Sequence, residues 1–99
     1  MPQFILICRD KADHLDLRMK TRPVHLDYVA NAADVDVLTA GPMLDDDDKP
    51  RGSVFLLAAE TKESVQSFAA NDPYQQAGLF EEIEIKAFKL VACALLKKE

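Results

Sequence analysis

The sequence predicts an α+β fold of the ferredoxin-like kind, a βαββαβ order laid down as a four-stranded antiparallel sheet with two helices on one face. Two runs, Phe4-Ile5-Leu6-Ile7-Cys8 and Val54-Phe55-Leu56-Leu57-Ala58-Ala59, are apolar at every position, as central strands covered on both faces are. Each is followed by a stretch with apolar residues at helical spacing. Late in the chain, Glu82 to Val91 alternates as a last strand does, with Ile83, Ile85 and Ala87 opposite Glu84, Lys86, Phe88 and Leu90.

Residues 2 to 8 form the first strand, with Phe4, Leu6 and Cys8 on one side and Ile5 and Ile7 on the other. A helical stretch opens at Asp10-Lys11-Ala12-Asp13, with Leu15 and Met19 four apart. Pro23 removes a backbone donor, so a break or kink is expected there. Thr21 is placed to cap a second helical piece. In that piece Leu26, Val29, Ala30 and Ala33 make one apolar face, and Arg22 and His25 stand near its first turn. Val35 to Thr39 is a short β-branched strand closed by Ala40-Gly41-Pro42, and the next strand begins at Gly52-Ser53. Thr61 caps a helix with Val65, Phe68 and Ala69 inward, ending at Asn71-Asp72-Pro73 because a residue before proline resists helical geometry. Tyr74 to Phe80 is a turn-rich connection, and Ala92 to Leu96 an apolar tail.

The chain has 99 residues, a net charge of −5, 48% hydrophobic and 29% charged residues. This is the balance of a globular protein expected to form one domain over residues 1–99. The acidic charge argues against a nucleic-acid partner. No apolar run reaches the roughly 20 residues that span a bilayer, so no membrane partner is expected. The start lacks the pattern of an export signal, and a cytoplasmic location is expected. Cys8 and Cys93 lie in apolar segments without metal spacing and are expected to be free thiols. Two helices cover one sheet face only, so the other is expected to meet a second copy in a homodimer.

This topology gathers Arg9, Arg22, His25, the Gly41-Pro42 turn, Ser53 and Asp72-Pro73-Tyr74 at one end of the sheet. His25 is the natural proton-transfer group, and a helix start beside it favours the uncharged ring. Asp72 is the candidate partner that orients it, although it also suits a helix end before proline. Arg22 is the candidate anion clamp. His14 is expected to be solvated. Two scattered ligands, His25 and Asp72, fall short of a metal site, and neither metal nor cofactor is expected. The run Asp45-Asp46-Asp47-Asp48 lacks the ligand spacing and closing Glu of a calcium loop and is read as a solvated hairpin loop.

Asp10-Lys11-Ala12-Asp13, Arg22-Pro23-Val24-His25-Leu26, Leu38-Thr39-Ala40-Gly41-Pro42-Met43, Asp72-Pro73-Tyr74 with Ala77-Gly78, and Lys86-Ala87-Phe88-Lys89 together resemble the YCII-related (YciI-like) family. The resemblance implies a ferredoxin-like dimer akin to dimeric α/β-barrel proteins. It implies a His-Asp site on His25 and Asp72, supported by Arg22, Ser53 and Tyr74. It also implies lyase or isomerase chemistry on aromatic breakdown products, since relatives include a dehydrochlorinase acting on a chlorinated hydroxyquinol. The acidic Asp45 to Asp48 loop and Ala87 depart from the family pattern. The expected function is therefore cofactor-free proton transfer on a small cyclic or aromatic anionic metabolite. The alternative is a non-catalytic small-molecule-binding or dimeric interaction module.

Overall fold

Four strands in the order β2-β3-β1-β4, every neighbour antiparallel, form the sheet of the computed structural model, which describes residues 1–94. The strands are β1 (Gln3–Asp10), β2 (Asp36–Leu44), β3 (Pro50–Ala58) and β4 (Phe80–Phe88). Helices α1 (Leu15–Ala30), α2 (Lys62–Asn71) and the short α3 (Pro73–Gln76) complete the ferredoxin-like α+β fold. Both apolar runs are central strands. Phe4, Leu6, Cys8, Phe55 and Leu57 point into the core, while Ile5, Ile7, Val54 and Leu56 lie half-buried on the opposite face. That face is bordered by Arg9, which donates to Glu84 at 3.0 Å and Glu82 at 3.3 Å.

α2 is built as its sequence dictates. The Thr61 hydroxyl accepts the Ser64 N–H at 3.2 Å, and Val65, Phe68 and Ala69 are buried. Asp72 then ends α2 and caps α3, where its carboxylate accepts the Tyr74 N–H at 2.8 Å. The connection after Tyr74 thus holds a helical turn, closed by Gly78 at φ +82°, a conformation that favours glycine.

α1 departs from expectation in two ways. It runs unbroken through Pro23, and Thr21 lies inside it rather than capping a second piece. Pro23 and Met19, whose carbonyl would have bonded its missing N–H, are both solvent-exposed, so water can satisfy that carbonyl. The apolar face expected on Leu26, Val29, Ala30 and Ala33 does not face the core. Leu26, Ala30 and Ala33 are exposed, and only Val29 packs against the core, while the inward face carries Arg18, His25 and Tyr28. Tyr28 stacks on Phe68 with ring centres 5.3 Å apart and donates its hydroxyl to the Phe68 carbonyl at 2.9 Å. His14, expected to lack a partner, donates a ring N–H to the Ala12 carbonyl at 2.7 Å.

β2 does not stop at Ala40-Gly41-Pro42 but continues to Leu44. It is an edge strand, with one side unpaired, where a proline without an N–H is tolerated. β1 runs on to Asp10, β3 starts two residues before Gly52, and β4 spans Phe80–Phe88 rather than Glu82 to Val91. Gly52 has a steric reason: a Cβ there would lie 2.6 Å from the Cys8 carbonyl oxygen and strike the Met43 side chain. Of the expected apolar tail, Leu95 and Leu96 lie outside the described residues. Cys8 and Cys93 are both free thiols, and burial pushes Cys8 up to about 12.

Candidate active site

Arg18, Arg22, His25 and Val29 follow one another at helical spacing along the inward face of α1, at i, i+4, i+7 and i+11. Opposite them, Pro42 and Ser53 are paired residues of β2 and β3, and Phe55 is the next inward residue of β3. α2 and α3 hold the helix layer through Tyr28 and Tyr74. Between α1 and the β2–β3 half of the sheet a cleft of about 440 Å³ remains, lined in part by Arg18, Arg22, His25, Ser53, Phe55 and Tyr74.

His25 is 7% and Asp72 1% exposed, and His25 Nδ1 lies 2.8 Å from Asp72 Oδ1. The same oxygen accepts the Tyr74 N–H, so it acts as an acceptor and Nδ1 is the donor. In the uncharged ring the lone pair is then at Nε2, on the side away from Asp72. Nε2 has no hydrogen-bond partner among the described residues, where no buried side-chain polar atom is left unpaired, so it keeps access to the cleft. His25 sits in the middle of α1 rather than at a helix start, and the expected helix-terminus effect on its charge does not apply.

Tyr74 stacks on His25 with centres 3.9 Å apart and planes 18° from parallel. The Arg18 guanidinium carbon lies 4.4 Å from the same ring centre. Tyr74 is thus in contact with two α1 residues two helical turns apart, one through ring stacking and one through a cation over its ring. Burial raises the Tyr74 phenol above its ordinary value, against the opposing pull of Arg18 and Arg22. Arg18 is itself fixed, through Nε to Asp10 Oδ2 at 2.6 Å, Nη2 to Asp10 Oδ1 at 3.1 Å, and Nη2 to Ser53 Oγ at 2.8 Å. Because Ser53 accepts from Arg18, its own hydroxyl proton is free to donate elsewhere.

Of the residues expected at the site, His25, Asp72, Ser53 and Tyr74 are buried together, and Arg22 stands exposed on the cleft wall. Arg9 is not among them, because strand alternation turns it to the other face of the sheet. Sequence reasoning missed Arg18 and Asp10. The available signal was position: Arg18 precedes Arg22 by four residues and His25 by seven, on one helix face. Among the described residues no group of three or more His, Cys, Asp or Glu is placed to hold a metal ion, and no helix is long and apolar enough to cross a membrane.

Fold and cleft together define a small ferredoxin-like α+β protein whose α1 stands off one half of the sheet, leaving a cleft lined by His25, with Asp72 buried behind it. The chain belongs to the YCII-related domain family, whose model matches residues 2–89. It is 37% identical over 95 residues to Protein YciI of Escherichia coli, covering 89% of this chain and 97% of that protein. It is 30% identical over 95 residues to an uncharacterized protein of Haemophilus influenzae, at the same coverage. Among solved structures, it resembles the 5-chloro-2-hydroxyhydroquinone dehydrochlorinase of Burkholderia phenoliruptrix in complex with 2,5-dihydroxybenzoquinone. That likeness has a TM-score of 0.79 and 29% identity over 88% of this chain and 93% of that one. An antibiotic biosynthesis monooxygenase shares the fold at a TM-score of 0.56 and 12% identity, covering 93% of this chain and 100% of that one.

Proposed function

We propose that the protein is a cofactor-free enzyme that moves a proton on a small cyclic or aromatic anion, in lyase or isomerase chemistry. The observation that carries this reading is the 2.8 Å His25–Asp72 hydrogen bond, which leaves Nε2 as the reactive end of the ring beside the cleft. The 29% identical dehydrochlorinase, a complex with a dihydroxybenzoquinone, supports the substrate class. His25 takes or returns the proton through Nε2, and Asp72 fixes the tautomer and stabilises the ring when it is charged. Ser53 donates its free hydroxyl proton to a substrate oxygen, and Tyr74, kept as the neutral phenol by burial, is a second donor. Arg22 holds an anionic group at the cleft wall.

Turnover of chlorinated hydroxyquinols and related cyclic anions by the wild type and His25→Ala tests this. The variant should lose roughly 10²- to 10⁴-fold in kcat while remaining folded. Equal turnover in the two proteins would remove His25 from the mechanism. The functional unit is a homodimer in this reading, closed over Ile5, Ile7, Val54 and Leu56, and a monomer by light scattering at micromolar concentration would rule that out.

A further inference from the structure

Most polar groups of the site sit at the buried end of the cleft, where Arg18, His25, Ser53 and Tyr74 lie with Phe55. At the exposed mouth Arg22 is, among the described residues, the one charged residue beside apolar side chains that form two walls from different elements. Met19 and Leu26, seven residues apart, extend one wall along α1, and Pro42, Leu44 and Pro50 of the β2–β3 hairpin form the other. Met19, Leu26 and Leu44 are 51%, 45% and 55% exposed although they line a cleft. Large apolar side chains left in water around a polar pocket mark a surface that a ligand covers.

Volume indicates what the ligand carries. A dry cavity of about 150 Å³ is enough to hold a benzene ring, and this cleft has about 440 Å³. A single oxygenated ring seated against His25 and Ser53 therefore leaves most of the space between the apolar walls unfilled. We propose that the natural ligand is a ring anion bearing an apolar substituent, an alkyl chain of about four to six carbons or a second ring, which lies between α1 and the β2–β3 hairpin. This rests on the ring-anion reading of the site and adds the second compartment. Arg22 stands beside both compartments, so the ring's anionic group is held while the substituent runs outward.

Calorimetric titration with 2,5-dihydroxybenzoquinone and its 3-butyl derivative tests the two compartments separately. The butyl compound should bind the wild type roughly tenfold more tightly, the order expected for a four-carbon chain buried over part of its surface. In Leu44→Asp and Leu26→Asn, both at exposed positions, the ratio of the two dissociation constants should fall toward one. A ratio near one in the wild type, or a ratio unmoved by both variants, would overturn the proposal. If the variants alter the mass found by light scattering and leave the ratio unchanged, the apolar walls belong to an interface between copies and the proposal also fails. Failure of both compounds to bind would strike the ring-anion reading itself, and this one with it.

Discussion

α1 and α2 lie on the same face of one sheet, yet they present opposite chemistry to it. α2 turns Val65, Phe68 and Ala69 inward, and Phe68 meets Phe55 edge to face at 5.4 Å. α1 turns Arg18, His25 and Tyr28 inward and leaves Leu26 and Met19 in water. One helix closes the core, and the other holds a cleft open. The fold can carry a polar inward face on α1 because each buried polar group there is matched: Arg18 by Asp10 and Ser53, His25 by Asp72. The division of labour between the two helices lets a small domain have both a core and a pocket.

The largest contrast in stability follows from that division. Phe68→Ala should cost about 3–5 kcal/mol, the usual range for truncating a buried aromatic, while Leu26→Ala on α1 should change stability by about 0.5 kcal/mol or less, as exposed positions do. Urea unfolding of the two variants checks both, and similar losses would mean that Leu26 is packed in the folded protein rather than left in water. Next comes the buried ion pair. Arg18→Met leaves the Asp10 carboxylate without its cation and should destabilise by about 3 kcal/mol. Adding Asp10→Leu should restore most of that loss. A double variant as unstable as the single one would show that the polar face of α1 is needed for the fold as well as for the site.

The same contrast explains what could be read from the sequence. α2 was legible because its cap, apolar spacing and terminating proline agree, and Thr61, Phe68 and Pro73 stand where those rules put them. The two central strands were legible for a similar reason, since Phe4 to Cys8 and Val54 to Ala59 suit no other element of that length. α1 misled because periodicity assumes that apolar residues face inward, and here Leu26 and Met19 line the mouth of a cleft. Its proline misled because the rule for interior prolines says nothing of a carbonyl that water can reach. His25 and Asp72 were found together through topology and the family resemblance. Arg18 and Asp10 were hidden because a lone Arg on a helix and an Asp at a strand end look like solvated charges until the structure buries them.

The smallest expected effect lies in the β2–β3 hairpin, which supplies the second wall of the cleft. Asp45 turns its loop by accepting the Asp47 and Lys49 N–H groups at 2.8 and 3.0 Å and the Arg51 Nε at 2.7 Å. Hydrogen bonding to Arg51 first, and to the backbone of Lys49 next, holds its carboxyl down to about 2, against 3.8 for a free one. A carboxyl lowered in the folded state contributes stability that is present above about pH 4 and is lost as pH falls through about 2. Asp45→Asn keeps a side-chain oxygen for the loop amides but removes the charge beside Arg51. The difference in unfolding midpoint between wild type and variant should therefore be present near neutral pH and shrink between pH 4 and pH 2. The site is exposed, so added salt should weaken the effect. A difference that stays constant across that window would show that Asp45 acts on the loop through its amide contacts alone, leaving the acid sensitivity of the cleft's second wall to other carboxylates.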